Sequence, residues 1–426
     1  MPMSKSFKRR LFPQLPQIIQ DFGGTPFHIY DEQGIVETCN HLKLYMKTSG
    51  FQQFFAVKAL PDPAILRIIH EQGFGFDCSS IVEMILATEA GATPDQIMFT
   101  SNDTTREEFQ FALDLGCILN LDDIKMLDKP IVQDRMPELI CFRINPGAKQ
   151  TGNSIIGNPL DAKYGIMWDE IIPAYRRAQE LGAKRFGIHM MVMSNDRDHT
   201  HAIVNVDILL EAAAILKKEL GIEAEFINIG GGIGTPYHPE EEEFNLAAFG
   251  FEVTSRIQHF RKEMGFEPRV YTELGRYITG PHGCYVTRAI NRKDIYGQIY
   301  MGVEAAMTAL MRPAIYGVYH HITVVDKDGL LREGDEELVH IVGPICENCD
   351  RLTQQDKPRL LPKIHWDEED GDLIIVHNTG AHAIAMAFNY NGRPRPQALL
   401  RRKDGSIVRT RKAETLEELL AMTRNL

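Results

Sequence analysis

Short β-type runs alternate with longer amphipathic stretches through the first two thirds of the chain, and this alternation constrains the fold more than any other feature. The β-type runs are Phe54–Ala59, Phe74–Cys78, Ile97–Ser101, Cys117–Leu121, Leu139–Asn145, Phe186–Val192, Glu225–Gly230 and Val270–Glu273. Between them, Ala64–Gln72, Val82–Ala90, Arg106–Leu115, Glu170–Leu181, Asp207–Leu220 and Phe251–Met264 carry apolar residues at three-to-four spacing, and most stop at glycine. Eight strands alternating with helices over roughly 250 residues match a (β/α)8 barrel. The weakest unit lies between Leu121 and Leu139, where only a short helix around Ile124–Leu127 is expected. A doubly wound open sheet is the competing architecture.

Polar residues at the strand ends favour the barrel, whose active sites are assembled where the C-terminal strand ends converge. Reading each run to its end gives Lys58, Asp77, Asn102, Asp122, Asn145, the region of Ser194, Gly230–Gly232, and Glu273 with Arg276. After about residue 285 the texture changes to β-rich runs at Tyr285–Ile290, Tyr319–Val325, Leu338–Val342, Leu373–Val376 and Ile407–Arg409, separated by turns such as Lys327-Asp328-Gly329. The predicted fold class is therefore α/β, a TIM barrel followed by an all-β C-terminal domain. Its predicted parts are an N-terminal segment 1–35 that adds the run Phe27–Tyr30 to the β domain, a barrel 36–284, and a β domain 285–426.

Charge excludes some partners. With 46 basic against 58 acidic residues, a net of −12, and no basic stripe, the chain is a poor nucleic-acid binder. The cluster Lys5–Arg10 reads as a solvated tail. No apolar run suggests a bilayer span or a signal core, so no membrane partner and a cytoplasmic setting are expected. Seven scattered cysteines suit a reducing compartment. Cys346 and Cys349 form one CxxC, half a zinc site at best, and no metal is expected.

Three motifs carry chemistry. Lys58 ends the apolar run Phe54-Phe-Ala-Val-Lys-Ala59, where desolvation would free an amine to attack a carbonyl, although a lysine at a strand end is more often an exposed edge charge. The run Gly230-Gly231-Gly232 follows strand seven, and barrels bind phosphate after strands seven and eight. Its plain alternative is a flexible turn. Glu273-Leu-Gly-Arg276 ends strand eight; it is either a surface ion pair or an arginine for a phosphate beside a carboxylate for a pyridine nitrogen.

Together, Lys58 in its motif, Gly230–Gly232 and Glu-x-Gly-Arg276 resemble the diaminopimelate decarboxylase family, kin of ornithine decarboxylase and alanine racemase. Arg312-Pro-Ala-Ile-Tyr316, Cys346-Glu-Asn-Cys-Asp350 and Tyr390-Asn-Gly-Arg-Pro-Arg-Pro396 agree, in order, so that the likeness runs from about Thr25 to Pro396. The resemblance implies pyridoxal 5'-phosphate held covalently on Lys58. It implies phosphate contacts from Gly230, Gly231, Gly232, Ser194 and Arg276, a ring-nitrogen contact from Glu273, and further cofactor contacts from Asp77, Arg143, His189 and His382. Arg276, Arg312, Tyr316, Glu347 and His382 would hold the substrate. Cys346 would be the proton donor, reaching the site from the partner subunit of a head-to-tail homodimer. The implied reaction is decarboxylation of meso-diaminopimelate to L-lysine, in amino-acid biosynthesis.

Several positions depart from the family pattern. Met191 stands where relatives carry a second histidine that stacks on the cofactor, Met193 where they carry glycine, and His382 where they carry tyrosine. Leu274 replaces proline; Glu304 and Thr308 replace Asp and Asn. These changes read as a changed substrate: another diamino acid, a carboxylated polyamine, or a siderophore or antibiotic precursor. A racemase and a pyridoxal-phosphate-binding regulator that has lost activity are the remaining alternatives.

Overall fold

The computed structural model describes residues 1–150 and 158–424. The chain forms two compact units, one of Val36–Gly234 with Glu243–Tyr277, the other of Met1–Ile35, Thr235–Glu242 and Ile278–Leu426.

The first unit is the barrel. Numbering strands along the chain with Phe27–Asp31 as β1, its eight parallel strands are β2 (Gln52–Ala56), β3 (Gly75–Cys78), β4 (Ile97–Ser101), β5 (Ile118–Leu121), β6 (Leu139–Arg143), β7 (Arg185–His189), β8 (Phe226–Asn228) and β9 (Arg269–Thr272), closed in that order. The seam between β2 and β9 is short, pairing Gln52 with Tyr271 and Gln53 with Thr272. Gln53 reinforces it: its Oε1 accepts from Thr272 Oγ1 at 2.5 Å and its Nε2 donates to the Leu274 carbonyl at 2.9 Å.

Local sequence sets the outer helices. Asp62 caps Pro63–Glu71 by accepting from the Ala64 and Ile65 N–H groups, and Ile65, Leu66, Ile68 and Ile69 form the buried stripe. Thr105 and Glu108 make a capping box for Arg106–Leu115, which ends on Gly116 at φ 75°. Helix His199–Leu220 begins eight residues before its apolar periodicity shows, because Asp198 caps it. It is long and apolar enough to cross a membrane on length and composition, a correction to the reading of no such run; 56% of that stretch is buried inside the protein, with much of one face packed on helix Leu246–Met264.

Strand alternation builds the barrel interior in two levels. Inward residues lie two apart along each strand. The lower level holds Phe54, Met98, Ile118, Cys141, Phe226 and Tyr271, with the last two rings stacked at 4.3 Å. Gly187 on β7 makes room: a Cβ there would stand 2.0 Å from the Phe226 ring. Two residues further on, the same strands present Thr100, Asn120, Arg143, His189, Asn228 and Glu273, so an apolar floor supports a polar mouth.

The second unit is built on a sheet in which β1 lies between β10 (Gly283–Ile295, antiparallel) and β16 (Gln397–Arg401, parallel). Beyond β10 come β11 (Gln298–Val303), β13 (Glu336–Val342) and β14 (Arg359–Pro362); β17 (Ile407–Arg411) flanks β16, and β15 (Leu373–Val376) joins β10 to β12 (Ile322–Val325). Period two again divides the residues: Tyr285, Ile374 and Val376 face one core, Cys284, Val286, Leu373 and Ile375 the other. That second core is covered by two N-terminal helices, Lys5–Leu11 and Leu15–Phe22, and the 3-10 turn Phe12–Gln14 between them, through Phe7, Leu11, Phe12, Leu15 and Ile18. Lys5–Arg10 is therefore not a solvated tail. Lys5 and Arg9 are exposed on a helix whose apolar side closes the sheet, while Lys8 is half-buried and Arg10 pairs with buried Asp31 at 2.5 Å. Thr235–Glu242, in sequence order part of the barrel, packs in this unit: Asn378 Nδ2 donates to the Pro236 carbonyl at 2.6 Å, and His238 stacks on Tyr319 at 3.6 Å.

Candidate active site

The barrel mouth encloses a cavity of about 290 Å³ lined by Lys58, Asp77, Arg143, His189, Met191 and Glu273, together with Ser79, Thr100, Ser101, Asn102 and Tyr164. That size is near the lower end of small-molecule sites. Lys58 does not end a strand as expected: β2 stops at Ala56 and Lys58 follows in a single 3-10 turn, Val57–Ala59. The turn lifts its side chain out of the apolar run, so Lys58 is exposed toward the cavity while Val57 and Ala59 stay buried.

Glu273, one residue beyond β9, is the most constrained group. Oε1 accepts from Asn228 Nδ2 at 2.7 Å and Oε2 faces His189 Nε2 at 3.1 Å. Burial pushes this carboxyl up, but His189, Lys58 and the Asn228 amide outweigh burial and hold it below the usual range. Asp77 behaves in the opposite way. Burial, and then the nearby charge of Glu273, push it well up against the opposing pull of Lys58. Its Oδ1 is buried and makes no hydrogen bond among the described residues. Asp122 is salt-bridged to Arg143 at 3.6 Å, and Arg143 also donates to the Met191 carbonyl at 3.1 Å and lies over the Tyr164 ring at 4.4 Å. Asn145 is occupied by the Pro159 and Tyr164 carbonyls.

The glycine run is a closely packed loop, which a merely flexible turn would not be. Gly230 and Gly232 have φ 68° and 101°, and a Cβ on Gly230, Gly231 or Gly232 would stand 2.5 Å from the carbonyl oxygen of Met190, Glu273 or Met193 respectively. The loop is zipped to the one after β7: Asp196 N–H donates to the Gly232 carbonyl at 2.9 Å and Gly234 N–H to the Asp196 carbonyl at 2.7 Å. Ser194 lies on that partner loop, half-buried, and Arg276 opens a short helix three residues after Glu273. Asn228 Oδ1 accepts from Gly230 N–H at 2.9 Å, so one amide ties the loop to the Glu273 carboxylate.

The remaining predicted residues belong to the β unit. Cys346 is exposed, its N–H donating to Asn391 Oδ1 at 2.9 Å; Glu347 accepts from Tyr390 Oη at 2.7 Å. Arg312 is buried with its guanidinium 5.8 Å from the Tyr237 ring, Tyr316 is exposed, and His382 adopts φ 54°. Cys349 contacts Met307 sulfur at 3.9 Å, and all seven cysteines are unlinked.

Three departures acquire physical accounts. Met191 lines the cavity, and its sulfur accepts from the Gly231 N–H at 3.1 Å. Leu274 donates its N–H to Gln53 Oε1 at 3.3 Å, a bond proline cannot make. Glu304 is occupied by the β10 backbone, accepting from Arg288 N–H at 2.9 Å. Sequence reasoning missed Thr100 and Asn120. Their signal was available: a polar residue two positions after an inward apolar one on β4 and β5.

An exposed lysine on a cavity whose Met191 and Glu273 touch a glycine loop that excludes every Cβ, with a carboxylate held below its usual range deep in the same cavity, meets the needs of pyridoxal phosphate for an amine, an anion cradle and an acceptor at the ring nitrogen. These features define a pyridoxal-phosphate enzyme. The family described as "Pyridoxal-dependent decarboxylase, pyridoxal binding domain" matches residues 33–280. Protein TabA of Pseudomonas amygdali pv. tabaci is 42% identical over 98% of this chain and 95% of its own length. The diaminopimelate decarboxylase of Methanothermobacter thermautotrophicus is 36% identical over 94% of this chain and 92% of its own. A crystal structure of diaminopimelate decarboxylase from M. jannaschii in complex with L-lysine superposes with a TM-score of 0.86 at 26% identity, covering 96% of this chain and 94% of that one. The chain belongs to the diaminopimelate decarboxylase family and is a pyridoxal-phosphate-dependent amino-acid decarboxylase.

Proposed function

We propose that the chain decarboxylates meso-diaminopimelate or a closely related diamino acid, working as a cytoplasmic homodimer in amino-acid biosynthesis. The observation that carries this reading is the single cavity shared by Lys58, Asp77, His189 and Glu273 beside the glycine loop. When bound, pyridoxal phosphate supplies an electron-withdrawing ring that takes up the electron pair left as carbon dioxide departs.

The chain's own residues do the rest. Lys58 Nζ would hold the cofactor at the cavity wall. Gly230–Gly232, Ser194 and Arg276 would hold its phosphate, and Glu273 would accept a hydrogen bond from its ring nitrogen, favouring the cationic ring. Asp77, its carboxyl pushed up by burial, lines the wall that Lys58 shares, and Arg143 and His189 fix the remaining wall. Arg312, Tyr316, Glu347 and His382 bind the distal end of the substrate, and Cys346 Sγ returns a proton to Cα from the partner subunit. The family kinship and the names of the relatives support the substrate class, since several are diaminopimelate decarboxylases.

The test is a panel of diamino acids and carboxylated polyamines incubated with purified protein and cofactor, scored for carbon dioxide and amine product. Carbon dioxide with L-lysine from meso-diaminopimelate is the expected outcome. Inversion of an enantiomer without gas would make the chain a racemase; bound cofactor with no turnover of any compound would make it a regulator.

A further inference from the structure

Six hydrogen-bonding side chains, five from barrel strands and Glu273 from just beyond β9, form one belt around the mouth. Thr100 on β4 reaches the Asp77 carboxyl of β3. Asn120 on β5 donates from Nδ2 to Thr100 Oγ1 at 3.2 Å and lies 2.9 Å from His189 Nδ1 on β7. His189 Nε2 meets Glu273, whose other oxygen is held by Asn228 of β8. The belt starts at the Asp77 carboxyl and passes through the Glu273 carboxylate, and both face the same cavity.

An imidazole has one proton to place when neutral, and the partner on one nitrogen decides where it goes. An amide N–H directed at Nδ1 requires a lone pair there. The proton then stands on Nε2, where it points at Glu273 Oε2. We propose that Asn120 is a positioning residue that fixes His189 as the Nε2–H tautomer, so that His189 and Asn228 donate to both oxygens of Glu273 and hold it as a carboxylate. Each carboxylate oxygen retains a second lone pair for a ring nitrogen. The role assigned to Glu273 here rests on the function proposed above; the tautomer itself does not.

Apart from Glu273, the charged groups facing this imidazole are Asp122 after β5, Arg143 beside it in register on β6 and, across the cavity, Lys58 and Asp77. None of these offers a hydrogen bond to Nδ1, which leaves Asn120 as its partner among the described residues. A histidine that merely fills the core would place its proton without regard to Asn120.

The test uses full-length protein with 15N-labelled histidine, without and with pyridoxal phosphate, the His189 signals being assigned by their loss in His189→Gln. Wild type is expected to show an unprotonated Nδ1 and a protonated Nε2. In Asn120→Asp, whose carboxylate accepts where the amide donated, Nδ1 becomes protonated; in Asn120→Leu the preference for Nε2–H weakens. With cofactor bound, Asn120→Asp shifts the pH titration of the visible absorbance band and lowers kcat about tenfold or more, the scale of one hydrogen bond to a charged group, with KM little changed. A protonated Nδ1 in wild type, or an unchanged proton position in both Asn120 variants, overturns the proposal. A proton that moves as expected while the absorbance titration stays fixed supports the belt and counts against Glu273 as the ring-nitrogen partner.

Discussion

Asp77 and Glu273 are two buried carboxyls on one cavity whose proton affinities are driven apart. Asp77 is pushed up by burial and by the charge of Glu273; Glu273 is held down because His189, Lys58 and Asn228 outweigh its burial. A proton shared by the pair therefore favours Asp77 over Glu273. Environments that separate two titratable groups in this way assign acid and base roles.

This separation has a stability cost that can be measured. A carboxyl whose folded pKa is raised binds more protons folded than unfolded, so it loses stability as pH rises above its unfolded value near ~3.9. Asp77→Asn removes that loss while keeping a partner for Thr100. It is expected to raise the Tm of cofactor-free protein at pH 7.5 by about 1–2 °C, the scale of roughly 1 kcal/mol for a chain of this size, while abolishing turnover. A lower Tm across pH 5–8 would show that Asp77 is ionised in the folded protein.

The glycine loop predicts a binding defect separate from folding. In Gly231→Ala the new methyl meets the Glu273 carbonyl at 2.5 Å, so the loop must shift away from the β9 end. At a cost of ~1–3 kcal/mol, affinity for pyridoxal phosphate falls roughly 10- to 100-fold, measured by fluorescence titration, with far-ultraviolet circular dichroism unchanged.

The barrel and much of its mouth were readable because periodicity and polarity reinforce each other. Inward apolar residues such as Phe226 and Tyr271 fix the strand phase, and Asp77, His189 and Glu273 fall two residues beyond an inward position. Lys58 reads as part of a strand because Phe54–Ala59 is apolar but for the lysine itself, and only tertiary packing ends that strand at Ala56. The helix Lys5–Leu11 was missed because its charges dominate composition, while Phe7 and Leu11, four apart, carry the packing. Asn120 was passed over for Asp122, the more conspicuous residue at the strand end. The strands Gln298–Val303, Arg359–Pro362 and Gln397–Arg401 are short or mixed in polarity and gain their pairing from distant partners.

The N-terminal helices are structural. Phe7 is fully buried against the sheet core. Phe7→Ala is expected to cost about 3–5 kcal/mol, seen as a lower urea midpoint for the β unit. A change below ~0.5 kcal/mol would return this segment to the status of a tail.

Acid should destabilise the β unit through its buried histidines. Burial pushes His28 down to about 3 and His282 down to about 4, and lowers His377 further below its ordinary value. A base whose folded pKa is depressed leaves stability intact above its unfolded value near ~6.5 and removes it as pH falls toward the folded value, by up to ~1.4 kcal/mol per pH unit for each fully buried group. Tm should be flat from pH 8 to 7 and fall steeply between pH 6 and 4.5. His282→Gln should flatten that slope.

Reductive trapping at Lys58 tests the account most directly. Protein loaded with pyridoxal phosphate is treated with borohydride, digested and mapped by mass spectrometry. The account predicts loss of a visible band near ~420 nm and a stable label on the peptide carrying Lys58, both absent from Lys58→Ala. A label on any other lysine, or none at all, would contradict it.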